Sequence, residues 1–194
     1  MWVQRIAGII QANLNLRVFL PLLAAALLST WYGLFWSVEH FASLTGGLRV
    51  MDMQSGLTAA QLFTQIRTYS AETTRFYLWW ELFDYAWPFL TFTAMLFISA
   101  WLIHFLPAKA QRLFPWLVAS AYLTVLMDWC ENIGFASLVV LRPDEPMWLA
   151  QLTAALHAGK FICVMVFNLG FLIALLAAIV AGIRSQLREN GPSG

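Results

Sequence analysis

The stretch that decides the fold is LFPWLVASAYLTVLMDWCENIGFASLVVL, residues 113–141, an apolar run that carries Asp128, Glu131 and Asn132. A helix of about 20 apolar residues crosses the hydrocarbon core of a bilayer, so this stretch predicts a membrane span. Ionisable groups at membrane depth are costly and therefore rare. Because helical positions three and four apart share a face, the three polar side chains point the same way. That face must contact protein or trapped water, and we expect binding or chemistry there.

The composition is typical of a membrane protein. Hydrophobic residues make up 61% of the chain and charged residues 11%, whereas soluble domains carry about 25% charged residues. A soluble fold of this size could not bury so much apolar surface, so membrane lipid is the expected partner. The net charge of +1 offers no basic stripe for phosphates, which argues against nucleic acid as a partner.

Hydropathy predicts four membrane spans. They cover about residues 18–36, 85–106, 113–141 and 161–183. The expected fold is therefore all-α, an integral membrane antiparallel four-helix bundle that forms one domain over residues 1–194. Whether this bundle is part of a homo-oligomer or of a larger membrane complex is left open.

The connection between spans one and two, residues 37–84, is too long for a bare loop. Thr58 is placed to cap a short amphipathic helix, and Ser70 to cap a second helix that runs into span two. The first helix presents its apolar side chains on one face: Leu62, Phe63, Ile66 and Tyr69. We expect this face to lie on the outer membrane surface.

The lysines and arginines near the spans predict the orientation. They precede span one, fill the connection between spans two and three, and follow span four: Arg5, Arg17, Lys109, Arg112, Arg184 and Arg188. Cytoplasmic segments carry an excess of Lys and Arg, so both termini are expected in the cytoplasm. The 37–84 connection then lies outside.

Spans two and four carry further polar groups at the depth of Asp128 and Glu131. These groups are Tyr77, Glu81 and Asp84 before and at the start of span two, with Arg75 a turn further out, and His157, Lys160 and Asn168 on the fourth helix. One shared polar pocket, open to the outside, avoids burying each group without a partner. We expect Lys160 to pair with Asp128 or Glu131. Acids exceed bases in this pocket, so either one acid stays protonated or a cation binds.

The order Arg75-x-Tyr77, Asp84…Pro88 and Asp128-x-x-Glu131-Asn132, followed by Lys160, resembles uncharacterised small bacterial four-span membrane proteins with an intramembrane Asp-x-x-Glu-Asn motif. The resemblance covers roughly residues 50 to 165. It implies a bacterial inner (plasma) membrane and a multi-pass fold. It also implies that these side chains belong to one site, but it implies no activity.

Three functions stay open on this reasoning. The first is binding of a small polar or amphiphilic ligand, such as a lipid headgroup. Its predicted ligand-binding residues are Arg75, Tyr77, Glu81, Asp84, Asp128, Glu131, Asn132 and Lys160. The second is a membrane-embedded enzyme that uses Asp128 or Glu131 as acid or base, with His157 as a third catalytic candidate. The third is a structural or accessory membrane subunit whose polar groups only hold helices together.

No cofactor or metal is predicted from the motifs. The Glu-x-x-His pairs of di-iron bundles and the His-Glu-x-x-His zinc motif are both absent from the sequence. The Gly-x-Ser-x-Gly motif of serine hydrolases is absent as well. Cys130 and Cys163 each lie in an apolar run and are expected to act as packing residues.

Overall fold

A computed structural model describes residues 2–142 and 144–189, with side chains up to residue 184. Four of its helical segments are long and apolar enough to cross a membrane, so the chain is a multi-pass membrane protein. These segments are Leu16–Thr45, Ala71–His104, Ala108–Val140 and Met147–Arg184. No strand occurs in the described residues, and the predicted all-α four-helix bundle is confirmed. The side chain of Arg188 lies outside the described part of the chain.

The first span is longer than predicted and changes its helical form within the membrane. Helix α1 (Trp2–Ala12) precedes it and was not predicted. Helix α2 (Leu16–Trp31) begins at Asn15, whose side chain accepts a hydrogen bond from the Val18 amide at 3.0 Å. A π-helical turn (Tyr32–Ser37) joins α2 to α3 (Val38–Thr45). Because the three pieces are continuous, the span runs to Thr45.

The connection after α3 forms a cap over one end of the bundle. A 3₁₀ turn (Met51–Met53) leads to α4 (Ala59–Arg67), which begins with a capping box between Thr58 and Gln61. The predicted apolar face of α4 is present, but it packs on protein: Leu62 and Ile66 are buried in the core of this end. The expectation that this face lies on the membrane surface is therefore wrong, because the spans themselves cover it.

The remaining spans follow the predicted pattern with shifted bounds. Helix α5 (Ala71–Asp84) begins at the Ser70 cap and leads into α6 (Trp87–His104), which has Pro88 in its first turn. The short α7 (Ala108–Gln111) precedes α8 (Phe114–Val140), and α9 (Met147–Glu189) completes the bundle.

The buried side chains form two separate clusters, one at each end of the bundle. We call the end with the 105–113 connection the loop end, and the end covered by α4 and the 3₁₀ turn the cap end. The loop-end cluster includes Ile10 of α1, Leu96 of α6, Phe114 of α8 and Phe167 of α9. The cap-end cluster unites side chains of α3, α4, α5, α8 and α9 around Trp80. In the loop-end cluster the start of α8 lies beside the end of α6, at Phe114 and Ile103. Consecutive spans are therefore antiparallel.

Helices α8 and α9 approach closely at the cap end. A Cβ added to Gly134 would overlap Thr153 Oγ1 and lie 2.9 Å from Thr153 Cγ2. Only a glycine fits there, and this close approach places the polar residues of α8 directly opposite those of α9.

Candidate functional site

The centre of the cap end is an ion cluster between α8 and α9. Lys160 Nζ lies 2.7 Å from Glu131 Oε1 and 3.1 Å from Asp128 Oδ1. Glu131 is 0% exposed and Lys160 8% exposed. Asp128 and Glu131 are three positions apart on α8 and therefore share a face, so one ammonium group contacts both. The expected pairing of Lys160 with an acid of span three is present, and it involves both acids.

His157 joins this cluster to the cap. Its Nδ1 lies 2.8 Å from Glu131 Oε1, and its Nε2 lies 2.7 Å from the Gln54 carbonyl oxygen. A carbonyl oxygen only accepts hydrogen bonds, so Nε2 carries a proton and donates it. Both ring nitrogens are occupied by protein atoms. The geometry thus gives His157 a linking position and leaves neither nitrogen free to contact a substrate.

Asn132 connects Asp84 of α5 with Asp128 of α8. Its side-chain amide nitrogen donates to Asp84 Oδ2 at 3.2 Å and to Asp128 Oδ2 at 3.4 Å. All three side chains are buried, and Asp84 is 2% exposed. A single donor thus holds two carboxyl groups side by side, at the point where the second and third spans meet.

Asp52 belongs to the site, although its position in the long connection gave no reason to include it. The 3₁₀ turn places it inside the cap end at 5% exposure, where Trp80 Nε1 donates to its Oδ2 at 3.0 Å. Its other oxygen, Oδ1, has no hydrogen-bond partner among the described residues. Burial raises the pKa of Asp52, while the Lys160 charge and the Trp80 hydrogen bond act in the opposite direction.

Glu81 and Tyr77 lie behind this group, on the buried face of α5. Neither Glu81 oxygen makes a hydrogen bond of good geometry with the described residues, and the same holds for the Tyr77 hydroxyl. The two side chains are one helical turn apart on α5. Burying a carboxyl group without a hydrogen-bond partner is costly. Glu81 is therefore a further candidate residue of the site.

Two polar residues of the predicted set lie apart from the cluster. Arg75 is exposed on α5, and its side chain makes no ion pair or hydrogen bond within the described part of the chain. Asn168 is exposed on α9, below the cluster. Arg75 therefore does not offset the acidic excess, which is larger than the sequence indicated because Asp52 joins it.

An open cleft of about 580 Å³ reaches the cluster from the side of the bundle. Asp52, Asp84, Asp128 and Lys160 contribute to its lining, and Arg49 joins them near the surface of the cap. The remaining lining is mostly apolar and comes from the π-helical turn, α3, α6 and α9: Leu34, Val38, Trp87, Pro88, Phe92, Phe161 and Val164. Mostly apolar walls with a few convergent polar groups are typical of sites for small ligands.

Sequence reasoning identified the residues of the long helices better than those of the cap. Tyr77, Glu81, Asp84, Asp128, Glu131, Asn132, His157 and Lys160 are all buried in one region of the cap end. Asp52, Trp80 and Gln54 were missed as partners. The sequence carried no local signal for Asp52, because its partner Trp80 lies 28 positions further along the chain.

The described residues include no group of three or more His, Cys, Asp or Glu side chains positioned to hold a metal ion. Cys130 and Cys163 are free thiols, each partly buried. Comparison of the chain with family models, curated proteins and solved structures finds no match, so its resemblance to small bacterial four-span proteins stays a prediction.

Proposed function

We propose that this membrane protein binds a small polar or amphiphilic ligand, such as a lipid headgroup, in the cap-end cleft. One observation carries the proposal. Three aspartates and a lysine, Asp52, Asp84, Asp128 and Lys160, are each more than nine-tenths buried and yet line the same open cleft. Charged groups in such a position are usually functional in membrane proteins.

The arrangement supports ligand binding better than a purely structural task. A structural network gains most when every member is satisfied. Here Lys160 and Asn132 hold the acids in place, but Asp52 Oδ1 keeps no partner among the residues described. The acids that line the cleft therefore offer acceptors to a molecule that enters it.

Native mass spectrometry of the purified protein in mild detergent tests the proposal. We expect retained small-molecule adducts, and we expect Asp84→Asn to lose them while keeping the unfolding temperature within a few degrees. Asp144→Asn, an exposed acid at the same end, is the matched control and should keep them. If Asp84→Asn and wild type carry the same adducts at the same occupancy, the proposal fails.

A second candidate function is an enzyme that uses the Asp84 and Asp128 pair as general acid and base. The observation that favours it is the shared Asn132 donor, which holds the two carboxyl groups next to each other in the cleft. Paired carboxyl groups of this kind can exchange a proton with a bound substrate. Incubation of the protein with a membrane lipid extract, followed by lipid mass spectrometry, should show a product that Asp128→Asn does not form. Unchanged lipids with both proteins contradict an enzyme acting on membrane lipids.

We also propose the bacterial inner membrane, with both termini in the cytoplasm. The loop end carries Arg17, Lys109, Arg112 and Arg184 next to the spans, and such residues favour the cytoplasmic side. Alkaline phosphatase, which is active only outside the cytoplasm, should be active when fused after Gly56 and inactive when fused after Ala110. The reverse pattern contradicts this orientation.

A further inference from the structure

We infer that the ligand is an amphiphile with an ammonium headgroup, which enters the cleft sideways from the bilayer between the first and fourth spans. This inference rests on the proposed function and deepens it. The ammonium group lies between Asp52 and Asp84, and the alkyl chain lies along the apolar wall of the cleft.

The count of charges favours a positive headgroup. Among the described residues, five acidic side chains are buried at the cap end: Asp52, Glu81, Asp84, Asp128 and Glu131. The buried cation Lys160 is already shared by Asp128 and Glu131. Within the part of the chain that the structure describes, the side chains of Asp52 and Asp84 accept hydrogen bonds from neutral donors alone, the indole of Trp80 and the amide of Asn132.

The acceptors left over match an ammonium group. Asp52 Oδ1 has no hydrogen-bond partner among the described residues, and the hydrogen bond of Asp84 within them uses Oδ2 alone. Both residues line the cleft. An ammonium group offers several donors in different directions together with a positive charge, and charge-assisted hydrogen bonds are stronger than neutral ones. A cation there also relieves the repulsion among the acids.

The walls of the cleft match an alkyl chain that comes from the lipid. Leu34 and Val38 lie on the first span and Phe161 and Val164 on the fourth. The first span packs mainly on α6, whereas α9 packs mainly on α8, which leaves the open cleft between them. Leu34 is 43% exposed, so the apolar wall continues onto the lipid-facing surface.

The first span also changes its helical form at this wall. Leu34 belongs to the π-helical turn Tyr32–Ser37, and π-helical turns are frequent at functional sites. The turn brings Gly33 against Phe83 and Trp87, where an added Cβ would lie 3.2 Å from the Phe83 ring. The first span therefore approaches α5 and α6 closely at this point, directly beside the cleft.

Three probes of equal chain length test the headgroup: dodecylamine, 1-dodecanol and dodecanoate. Trp80 donates to Asp52 and Trp87 lines the cleft, so tryptophan fluorescence of the whole chain in detergent reports binding. We expect dodecylamine to bind about tenfold or more tightly than dodecanol, from the gain of a charge-assisted over a neutral hydrogen bond. Asp52→Asn and Asp84→Asn should each reduce this preference, and Asp144→Asn should leave it unchanged.

Equal affinity for dodecylamine and dodecanol, or tighter binding of dodecanoate, overturns the inference. If such binding still depends on Asp84, the proposed ligand site stands and only its preference for ammonium is wrong. Failure of all three probes to saturate, together with native spectra free of adducts, removes both the inference and the proposed function.

A second pair of variants tests the sideways entry. Val164→Trp places a bulky ring in the cleft and should weaken dodecylamine binding more than that of butylamine, whose chain is too short to follow the wall. Val166→Trp, at a lipid-exposed position two residues on, is the matched control and should change neither. If Val164→Trp leaves dodecylamine binding intact, the chain does not lie along this wall.

Nanodiscs distinguish a simple amine from an amine-bearing phospholipid. Arg49 lines the cleft near its surface, is exposed and has no side-chain partner among the described residues, so it is placed to contact a phosphate. If the ligand is phosphatidylethanolamine, it should co-purify in preference to phosphatidylglycerol, and Arg49→Gln should reduce its occupancy but not dodecylamine affinity. Preference for phosphatidylglycerol contradicts an ammonium site.

Discussion

Ser99 and Asn132 are both fully buried in the bundle, but their side chains donate hydrogen bonds to different kinds of partner. Ser99, in the loop-end half, donates to the Met95 carbonyl oxygen of its own helix at 2.8 Å. Asn132, in the cap-end half, donates to Asp84 on another helix. The loop end is held mainly by apolar packing, and the Thr93 and Tyr122 hydroxyls, 3.3 Å apart, make a polar contact between its helices. The cap end depends on such contacts, and the candidate site lies among them.

We expect the largest loss of stability when the ion pairs of the cap end are removed. Lys160→Met leaves Asp128 and Glu131 buried beside each other without a cation. Removing one partner of a buried ion pair costs about 3–5 kcal/mol, and here one cation serves two acids. Unfolding in mixed detergent micelles measures the loss. Lys109→Met, at an exposed site of the loop end, is the control and should be near neutral. If Lys160→Met is as stable as wild type, the acids are not charged and the cap end is no ionic network.

A substitution at the loop end tests whether packing there affects stability without affecting the cap end. Leu96→Ala removes a fully buried side chain from the loop-end cluster and should cost about 2–4 kcal/mol, toward the lower part of the range for buried leucines because lipid is itself apolar. Ligand occupancy in native spectra should stay at the wild-type level once the protein is folded. Val140→Ala, at a lipid-exposed position, controls for the loss of side-chain volume. A loss of ligand from folded Leu96→Ala would show that the two halves are coupled.

A smaller effect concerns the pH dependence of the cap. Burial raises the pKa of Asp52 above its ordinary 3.8, so the folded state holds this proton more tightly than the unfolded state. The resulting stabilisation is complete at a pH below the ordinary pKa of Asp52, and it is lost as the pH rises through the raised pKa of the folded state. Asp52→Asn removes this dependence while it preserves the shape and an acceptor for Trp80. Unfolding temperatures from pH 4 to pH 8 should fall more for wild type than for Asp52→Asn, and parallel curves would contradict the raised pKa.

The fold could be predicted from the sequence because its signals are local. Apolar runs mark the spans, Thr58 and Ser70 mark helix starts, and the spacing of Asp128 and Glu131 marks a polar face. Each signal depends on residues within one or two helical turns of each other. The contact of Lys160 with these acids could also be predicted from the sequence. In an antiparallel bundle, counting residues along each span gives the depth of a side chain in the membrane, and this count placed Lys160 at the depth of the acids.

The cap could not be predicted because its contacts join distant parts of the chain. Asp52 is buried by Trp80, 28 positions away, and Gln54 meets His157 across 103 positions. No local pattern records such contacts. Helix α4 illustrates the same point. The helical spacing of its apolar residues indicates that one face is apolar, but it does not indicate whether lipid or protein covers that face. Arg75 was included because of its position one turn from Tyr77 and because of the resemblance, and neither revealed that this side chain is exposed.

The smallest expected effect lies at the rim of the cap. Arg67 Nε and Nη2 donate to the two Glu145 oxygens at 2.5 Å each, which ties the end of α4 to the connection between α8 and α9. The Arg67 hydrogen bond lowers the pKa of Glu145. The pair therefore contributes to stability at a pH above the ordinary pKa of Glu145, and this contribution is lost as the pH falls through the lowered pKa. The Arg67 side chain is exposed and the Glu145 side chain is partly exposed, and ion pairs in contact with water are weakened by solvent and salt.

Glu145→Gln should therefore lower the unfolding temperature only slightly, with a difference from wild type that shrinks as salt is added. Asp144→Asn, next to it and exposed, should show no such salt dependence. A large, salt-insensitive loss for Glu145→Gln would mean that the rim holds the cap in place. The stability of the cap would then depend on the α4 connection rather than on the buried contacts of Asp52 and His157, which lie deeper in the same end of the bundle.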